Sequence, residues 1–353
     1  MKRTGYQGLS VSIVLVLALV AAALPGFGQA AQAKQPQAKT QAEYNAYKAL
    51  YDEQNPQKKA ELGEKFLTDF KESDFIGNTY TMIVGAYTRA QNWAKVIDAA
   101  DRAAASPVAD NKLKAFAYAN AMVAAQNMNQ IDRVLSYGDK VLAIDPNDLN
   151  TMITLSAAIP AKLPPDEPGR KAALDKAEGL GRKALAGIQP LLAQAPPETK
   201  KQIAQIEQQL HGTLGLIAYN RPDYTKSIEE YEAALKGNAK DDVAHFYLGA
   251  DYQALTAQAS RVYQDAIKAE NDAKIRRDDQ PTIDDLAAKR QGLENDVREK
   301  RDKAIEEYAI AAAIGGVVAQ DAKNALQKLW QNKNNDSLNG MDEFIAQKKQ
   351  QLQ

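Results

Sequence analysis

The two histidines of the chain are the side chains whose type and spacing most readily suggest chemistry. His211 opens the run HGTLGLIAY and His245 opens the run HFYLGADYQ, so 34 residues separate two His-x-x-Leu-Gly motifs. Imidazoles can ligate metal ions, and Asp241 and Asp242 stand close to the second histidine. A zinc site needs three or four such ligands, and the chain contains no cysteine. We therefore interpret both histidines as packing residues of a repeat, with a metal site as the weaker alternative.

Other catalytic motifs are missing from the sequence. It contains no G-x-S-x-G, no P-loop, no H-E-x-x-H and no G-x-G-x-x-G after a strand. The acid pairs Glu229-Glu230 and Glu306-Glu307 stand in amphipathic segments beside Lys or Arg, so we interpret them as solvated helix faces. The sequence thus predicts a protein that is not an enzyme and that uses no cofactor and no metal.

The composition favours helices and gives no sign of a nucleic-acid partner. Aromatic residues make up only 7% of the 353 residues, and alanine is abundant, a mixture that suits close-packed helices better than strands. Lys and Arg number 44 against 45 Asp and Glu, a net charge of −1. Such a balance provides no general attraction to nucleic acid.

The first residues have the three-part pattern of a secretory signal. Lys2 and Arg3 precede an apolar stretch at 9–24, and small residues follow up to Ala33. This pattern predicts a signal peptide over 1–33 that is removed after export. The apolar stretch is shorter than the roughly 20 residues that a spanning helix needs. We therefore expect a periplasmic or extracellular protein without a stable membrane span; an uncleaved signal that anchors it to the inner membrane is the alternative.

The elements that position the histidines follow the same order twice. Leu214-Gly215 falls on Leu248-Gly249 when the two motifs are aligned. Behind the first pair the pattern predicts a helix, a turn near Pro222, a second helix and a break at Gly237. A regular interval of this kind indicates a repeat in which each helix pair stacks on the next.

The aligned residues resemble the tetratricopeptide (TPR) repeat, which has an aromatic residue, a Leu-Gly pair and an Ala or aromatic pattern in its second helix. His211 and His245 take the aromatic position, and weaker copies begin near Tyr80, Tyr118 and Met152. The resemblance implies an all-α, TPR-type α-solenoid, a right-handed superhelix of helix pairs with a concave side. We place five to six repeats over 44–318, a flexible leader over 34–43, and capping helices over 319–353.

Glycines recur at one position of the second helices. LGEKFL, YGDKVL and LGRKAL place Gly63, Gly138 and Gly181 in the same register. Glycine inside a helix costs about 1 kcal/mol relative to alanine. Its recurrence predicts a point where two helices approach too closely for a side chain.

The last repeat is split by a long insertion. From Leu255 to Ala304 the chain runs 49 residues where the repeat needs about 6. Apolar and small residues recur at three-four spacing on both sides of DDQP, which predicts an antiparallel helical hairpin over about 256–303. We expect it to protrude from the solenoid, with Arg276, Arg277 and Asp279 at its tip as candidate contacts.

The resemblance also implies which residues line the concave groove, since TPR proteins hold ligand peptides along the first helix of each pair. Carried over residue by residue, the candidate partner-binding positions are Asn78, Arg89, Gln126, Asn127, Tyr219, Asn220, Phe246 and Gln253. They mix amides, apolar groups and aromatic rings, which suits an extended segment or a helix.

Two functions compete at this point. The sequence favours a protein–protein interaction scaffold of the bacterial cell envelope, of the exported TPR type, whose partners are envelope proteins or peptides. The alternative is a hydrolase or carbohydrate-binding protein that acts on envelope polysaccharide from acids along the groove. A third and weaker hypothesis is self-association through the Ala-rich hairpin.

Overall fold

A computed structural model describes residues 36–352, and within this range the regular structure is helical. The predicted signal peptide over 1–33 lies outside the described residues. Ile159–Lys162 form a 3-10 turn after the seventh helix. The helices are α1 (Gln41–Asp52), α2 (Pro56–Asp69), α3 (Ile76–Arg89), α4 (Trp93–Ala105), α5 (Asn111–Asn127), α6 (Ile131–Ile144), α7 (Leu149–Ala158), α8 (Glu167–Gln194), α9 (Pro197–Asn220), α10 (Tyr224–Gly237), α11 (Asp242–Arg276), α12 (Gln280–Ile314), α13 (Ala319–Lys333) and α14 (Met341–Gln351).

These helices form an all-α, TPR-type solenoid. Each helix from α1 to α13 packs against the next, so α1–α2 to α11–α12 make six successive pairs, numbered here repeats one to six. Apolar clusters run from α2 through α14, because each pair buries its apolar faces only between its neighbours. Repeats five and six are the two that carry the His-x-x-Leu-Gly motifs.

Side-chain caps determine where most helices begin. An oxygen of the residue before the helix accepts a hydrogen bond from a backbone N–H of the first turn, which satisfies a group that the helix leaves unpaired. The residues that act in this way are Thr40, Asn55, Asn92, Asp110, Asp148, Asp166, Asp223, Asp241 and Asp279.

The predicted flexible leader ends earlier than 43. Helix α1 begins at Gln41, and Thr40 and Glu43 form a reciprocal cap: Thr40 Oγ1 accepts from the Glu43 N–H, and Glu43 accepts from the Lys39 N–H. Glu43 is buried, and Lys39 Nζ donates to the Glu72 carbonyl. Residues 39–43 are therefore fixed against the turn between α2 and α3.

The structure confirms the interpretation of the recurring glycines. A Cβ added at Gly138 would lie 2.5 Å from Leu155 Cδ2, and one at Gly181 would lie 3.1 Å from Leu214 Cδ2. Gly63 meets Ile83 in the same way. In each case the glycine of a second helix faces the first helix of the next repeat, so it determines how closely successive pairs can stack.

The predicted hairpin is built from single helices. Helices α11 and α12 are 35 residues each, and both run without a break from the core of repeat six into the arm. Glu270 of one arm bonds Arg290 of the other at 2.6 Å. Asp279 caps the second arm, since its side chain accepts from the Thr282 N–H at 2.9 Å.

A second elongated pair was not predicted. Helix α8 continues to Gln194 through Pro190, and α9 begins at Pro197, so both extend beyond the short helix α7. Their ends pack together through an apolar cluster that includes Ile188 and Ile203. This part of the chain therefore contains a helical extension as well as the Pro-rich link over 163–166 between the 3-10 turn and α8.

After repeat six, α13 and α14 pack against α12. Leu326, Leu329 and Met341 complete the last apolar cluster. Across residues 36–352, the structure has no helix that is both long enough and apolar enough to cross a membrane.

Candidate functional site

The first helices of repeats one to three leave one face uncovered. We call this face of α1, α3 and α5 the N-terminal surface. Its exposed members include Tyr44, Lys48 and Tyr51 on α1, Asn78, Thr81 and Arg89 on α3, and Val123 and Asn127 on α5. Thr88 Oγ1 donates to Asn120 Oδ1 at 3.3 Å, which joins α3 to α5 beneath this face.

Four of the predicted groove residues lie on this surface. Arg89 is exposed, and among residues 36–352 no carboxylate pairs with it. Asn127 Nδ2 donates to the Val123 carbonyl of its own helix at 2.9 Å, which leaves its amide oxygen available to a ligand. Asn78 is exposed and interacts with the Tyr47 hydroxyl, while Gln126 is half-buried. The surface thus offers a free cation and amide groups.

Two aromatic residues of this surface were missed by the sequence analysis. Tyr44 and Tyr51 are 51% and 65% exposed, and they lie one heptad apart with Lys48 between them. Lys48 pairs with Asp52 on its own helix. The glycine register could have revealed these two tyrosines. Gly63 stands in repeat one where Gly138 stands in repeat three, and aligning the two glycines places Tyr44 and Tyr51 at groove positions of the first helix. Exposed tyrosines are common in protein-binding surfaces because they combine a large apolar ring with a polar end.

Repeat four interrupts the concave side. All residues from Thr151 to Ile159 are buried, so α7 has no exposed face over this stretch. Ile153, at a concave position, packs in one cluster with Ile203 and Leu210 of the extended helix α9. A ligand therefore cannot follow one continuous groove through all six repeats.

The predicted groove residues of repeats five and six differ from one another in exposure. Tyr219 is half-buried, and its ring lies 5.3 Å from that of Tyr247. Asn220 Nδ2 donates to the Leu216 carbonyl at 2.8 Å. Phe246 is buried against Tyr308 and belongs to the core, so its assignment to the groove surface is wrong.

Gln253 is the remaining predicted residue of repeat six. It is half-buried, and its side-chain oxygen accepts from the Tyr308 hydroxyl at 2.8 Å. This hydrogen bond joins α11 to α12, and it occupies the amide oxygen of Gln253.

The two histidines hold equivalent positions and make equivalent contacts. His211 Nδ1 lies 2.7 Å from Glu230 Oε2, and His245 Nδ1 lies 2.6 Å from Glu307 Oε2. Each pair joins the first helix of a repeat to its second helix. Our interpretation of both glutamates as solvated is wrong: Glu230 is 9% exposed, and the Glu307 side chain is 20% exposed. Within the described residues no cluster of three metal-ligating side chains exists.

The surroundings of the two pairs differ. Glu230 also bonds Arg182 of α8 at 3.1 Å, whereas His245 Nε2 lies 3.2 Å from the Ala239 carbonyl. Burial is the largest influence on the pKa of His245 and acts to lower it, but the hydrogen bond and charge of Glu307, the Ala239 carbonyl and the charge of Asp241 together outweigh burial and raise that pKa. Burial acts to raise the pKa of Glu230, and His211 and Arg182 together lower it.

An ion cluster fastens repeat four to repeat five. Glu178 of α8 bonds Lys226, Arg221 and Arg182. Burial acts to raise its pKa, but the three cations lower it to about 2. Because every acid here has a cation beside it, this cluster serves packing and offers no general base.

The tip of the hairpin uses its polar residues internally. Arg276 bonds Asp278 at 2.6 Å, and Asp279 caps α12. Arg277 adopts a left-handed conformation with φ +61° and ends α11. The exposed apolar residue here is Ile275, which is 79% exposed beside the turn.

Comparisons with known proteins find likeness in solved structures. A tetratricopeptide repeat protein from Parabacteroides merdae is similar over 82% of this chain and 100% of its own, with 10% identity and a TM-score of 0.43. The human IFIT1 dimer with m7Gppp-AAAA is similar over 88% of this chain and 68% of its own, with 12% identity and a TM-score of 0.34. No protein-family model matches the sequence. No curated protein matches it either.

Proposed function

We propose that this chain is a non-enzymatic scaffold of the bacterial cell envelope that binds partner proteins through its N-terminal surface. One observation carries the proposal: the first helices of repeats one to three expose two tyrosines, an unpaired Arg89 and several amides on one face. Solvent-exposed aromatic and arginine side chains are the groups that most often dominate the energy of protein–protein contacts. A helical repeat array of this kind typically serves protein–protein interaction.

The chemistry of the surface favours an extended segment or a helix as the ligand. Tyr44, Tyr51 and Val123 provide apolar contact, while Arg89 and Asn127 provide polar contacts that fix orientation. The free guanidinium of Arg89 favours a ligand with a carboxylate at the matching point. Repeat four limits the length of such a ligand to the first three repeats.

Non-enzymatic action is part of this proposal. Of the buried acids of the described residues, Glu230 and Glu270 are paired with cations or a histidine, and Glu43 accepts from the Lys39 backbone N–H in the cap of α1. The fourth, Asp251, is sealed inside the core. Export rests on the sequence pattern of residues 1–33 alone.

The binding surface can be tested by crosslinking in living cells. A photoreactive amino acid at Tyr51 or Val123 should capture a defined partner, because both side chains face outward on the N-terminal surface. The same group at Glu61, which is exposed on the second helix of repeat one, is the matched control and should capture little. Equal capture from all three positions, or none from any, would overturn the assignment.

A variant separates binding from folding. Tyr44→Ala, Tyr51→Ala and Arg89→Glu together should reduce capture by the purified chain at least tenfold without loss of helical signal, since all three side chains are exposed. Lys58→Ala with Glu61→Ala, which changes exposed side chains on the second helix of repeat one, is the control. If the triple variant binds partners as well as the control, the surface is not the site.

The envelope location needs a separate experiment. Cell fractionation with the full chain should place it in the envelope, and N-terminal sequencing of the mature form should begin after Ala33. An intact amino terminus in the cytoplasm would refute export and leave the binding surface as a separate question. Incubation of the purified mature chain with envelope polysaccharide addresses the enzymatic alternative, and turnover there would contradict the scaffold.

A further inference from the structure

Repeat six contains a buried acid at a position that is apolar elsewhere in the array. Asp251 lies two residues after Gly249, and Ile217 takes the same place in repeat five; Ala86 and Ala124 take it in repeats two and three. Asp251 is 0% exposed. An acid in such a place costs several kcal/mol unless it is paired or protonated. Its presence therefore needs a physical reason beyond packing.

The carboxyl of Asp251 lacks a well-formed hydrogen bond. Both of its oxygens are sealed from solvent and unpaired, and the nearby Tyr231 hydroxyl on α10 is also buried without a partner. Ser227 stands beside Asp251, but its hydroxyl donates to the Gly215 carbonyl at 3.0 Å. Burial raises the pKa of Asp251 to about 8, and Ser227 opposes this only in part. The carboxyl is accordingly neutral in the closed seam at neutral pH.

Charges on the surrounding helices do not compensate this acid. Lys303 of α12 is occupied by Glu299 at 3.1 Å and by the Tyr252 ring at 5.4 Å. Glu230 and Glu307 are bonded to the two histidines. The titratable and charged groups packed around this part of the seam are Tyr219 on α9, Glu230, Tyr231 and Glu232 on α10, Asp241 at the start of α11, His245, Tyr247 and Tyr252 on α11, and Lys303, Glu307 and Tyr308 on α12.

The position of Asp251 couples this seam to the hairpin. The same unbroken helix, α11, carries Asp251 in the core of repeat six and ends at Arg276 in the tip of the arm. Ile217 has no comparable connection, because α9 ends three residues later at Asn220. A change in how α11 packs on α10 must therefore move the arm.

We propose that the seam between α10 and α11 is a proton-controlled joint, in which the charge state of Asp251 sets the direction of the hairpin relative to repeats one to five. With the proton bound, the neutral carboxyl stays in the apolar seam. With the proton released, the carboxylate must reach water, so the seam opens at this level. Over the roughly 38 Å from Asp251 to the tip, a rotation of about 10° displaces the tip by about 7 Å.

The chain is well suited to a distance measurement because it has no native cysteine. Spin labels at Ile275→Cys and Glu229→Cys report across the joint, since both sites are exposed and Glu229 is on α10. Labels at Val262→Cys and Gln291→Cys lie within the hairpin and serve as the control pair. Pulsed electron–electron double resonance measures the distance distribution of each label pair at several pH values between pH 6 and pH 9.

We expect a second distance across the joint to grow as the pH rises, with its midpoint near the titration of Asp251, while the control pair stays unchanged. Asp251→Asn and Asp251→Ile should each give one distribution that is independent of pH. The second variant copies the residue of repeat five, so the fold already accommodates this side chain at the equivalent place.

Two results would overturn the proposal. One is a wild-type distance across the joint that stays constant from pH 6 to pH 9. The other is a pH-dependent shift that persists in both Asp251 variants, which would assign the motion to another group. The wild-type measurement alone can overturn the proposal, so the test remains valid even if one of the variants fails to fold.

Discussion

Repeats five and six follow the same sequence pattern, but they differ in the residue buried between their helices and in the partners of the equivalent glutamate. Both place a histidine against a glutamate of the second helix, and both place a glycine under a tyrosine ring. Repeat five closes its seam with Ile217 and shares Glu230 with Arg182. Repeat six puts Asp251 into the seam and leaves Glu307 with its histidine. The repeat pattern thus determines the packing, while single substitutions determine how the packing responds to pH.

The largest expected effect concerns the acid that separates the two repeats. Burial raises the pKa of Asp251 to about 8 on folding. The contribution of Asp251 to the free energy of unfolding is therefore most favourable below its unfolded pKa, and it is lost as the pH rises towards 8. Between pH 4 and pH 7 the free energy of unfolding of the wild type should fall by about 4 kcal/mol relative to Asp251→Asn. Urea unfolding at several pH values measures the difference.

A control for this prediction is Asp265→Asn, which removes an exposed acid on the same helix. That variant should show no comparable divergence from the wild type. Parallel pH profiles of the wild type and Asp251→Asn would show that the seam already admits water, and the contrast between repeats five and six would lose its basis.

The next effect tests what the two repeats share. A Cβ added at Gly249 would lie 2.8 Å from the Tyr308 ring, and one at Gly215 would lie 2.9 Å from the Tyr231 ring. Each Gly→Ala change should therefore destabilise the protein by about 2 kcal/mol, since neither aromatic ring can move aside without disturbing the core. Thermal and urea unfolding measure both changes.

Gly292, in the outer part of α12, is the matched control. A Cβ there meets nothing within 4 Å, so Gly292→Ala should stabilise the hairpin by about 1 kcal/mol. If Gly249→Ala caused no more destabilisation than Gly292→Ala, the Tyr308 ring would not be in close contact with Gly249, as the structure shows it.

A smaller effect distinguishes the two histidine pairs. His245→Gln should cost about 1–2 kcal/mol because Glu307 loses the partner that the described structure gives it. His211→Gln should cost less than about 1 kcal/mol because Arg182 still bonds Glu230. Unfolding of both variants at constant pH tests this order.

The pH dependence of the His245 contribution has a definite sign. Its pKa is raised by Glu307, against the opposing influence of burial. The stabilisation is therefore complete below the unfolded pKa of His and is lost as pH rises through the folded pKa. The deficit of His245→Gln should be greatest in mildly acidic solution, and a deficit that grew with pH would contradict this assignment.

The smallest effect converts one repeat towards the other. Arg182→Gln should raise the cost of His211→Gln by about 0.5 kcal/mol, because Glu230 then has the histidine alone as its partner. A double-mutant cycle measures this coupling. An additive result would mean that the arginine and the histidine act on Glu230 independently.

The packing of the array could be predicted because its signals are local. The interval between His211 and His245 located two repeats, and the register of Gly63 and Gly138 identified a close approach between helices. Three-four spacing on both sides of a Pro-marked turn was sufficient for the hairpin. Each of these signals lies within a few turns of the structure that it predicts.

The remaining features depend on residues that are distant in sequence. The partner of His211 is 19 residues away and that of His245 is 62 away, because the hairpin separates the two helices of its repeat. Glu230 and Glu307 stand beside charged residues in the sequence, as solvated acids do. Only the packed structure shows that Glu230 is buried and that Glu307 is half-buried. The closure of α7 depends in the same way on the unexpected length of α9.

The burial of α7 has a consequence for how the scaffold can work. A concave side divided at its middle can hold two short ligands at once, one on each part, instead of a single long ligand. If both ligands belong to one partner, the second binds at the effective concentration set by the linker between them, and avidity can exceed either affinity by about 100-fold or more. Nine consecutive buried residues would then determine the valency of the molecule.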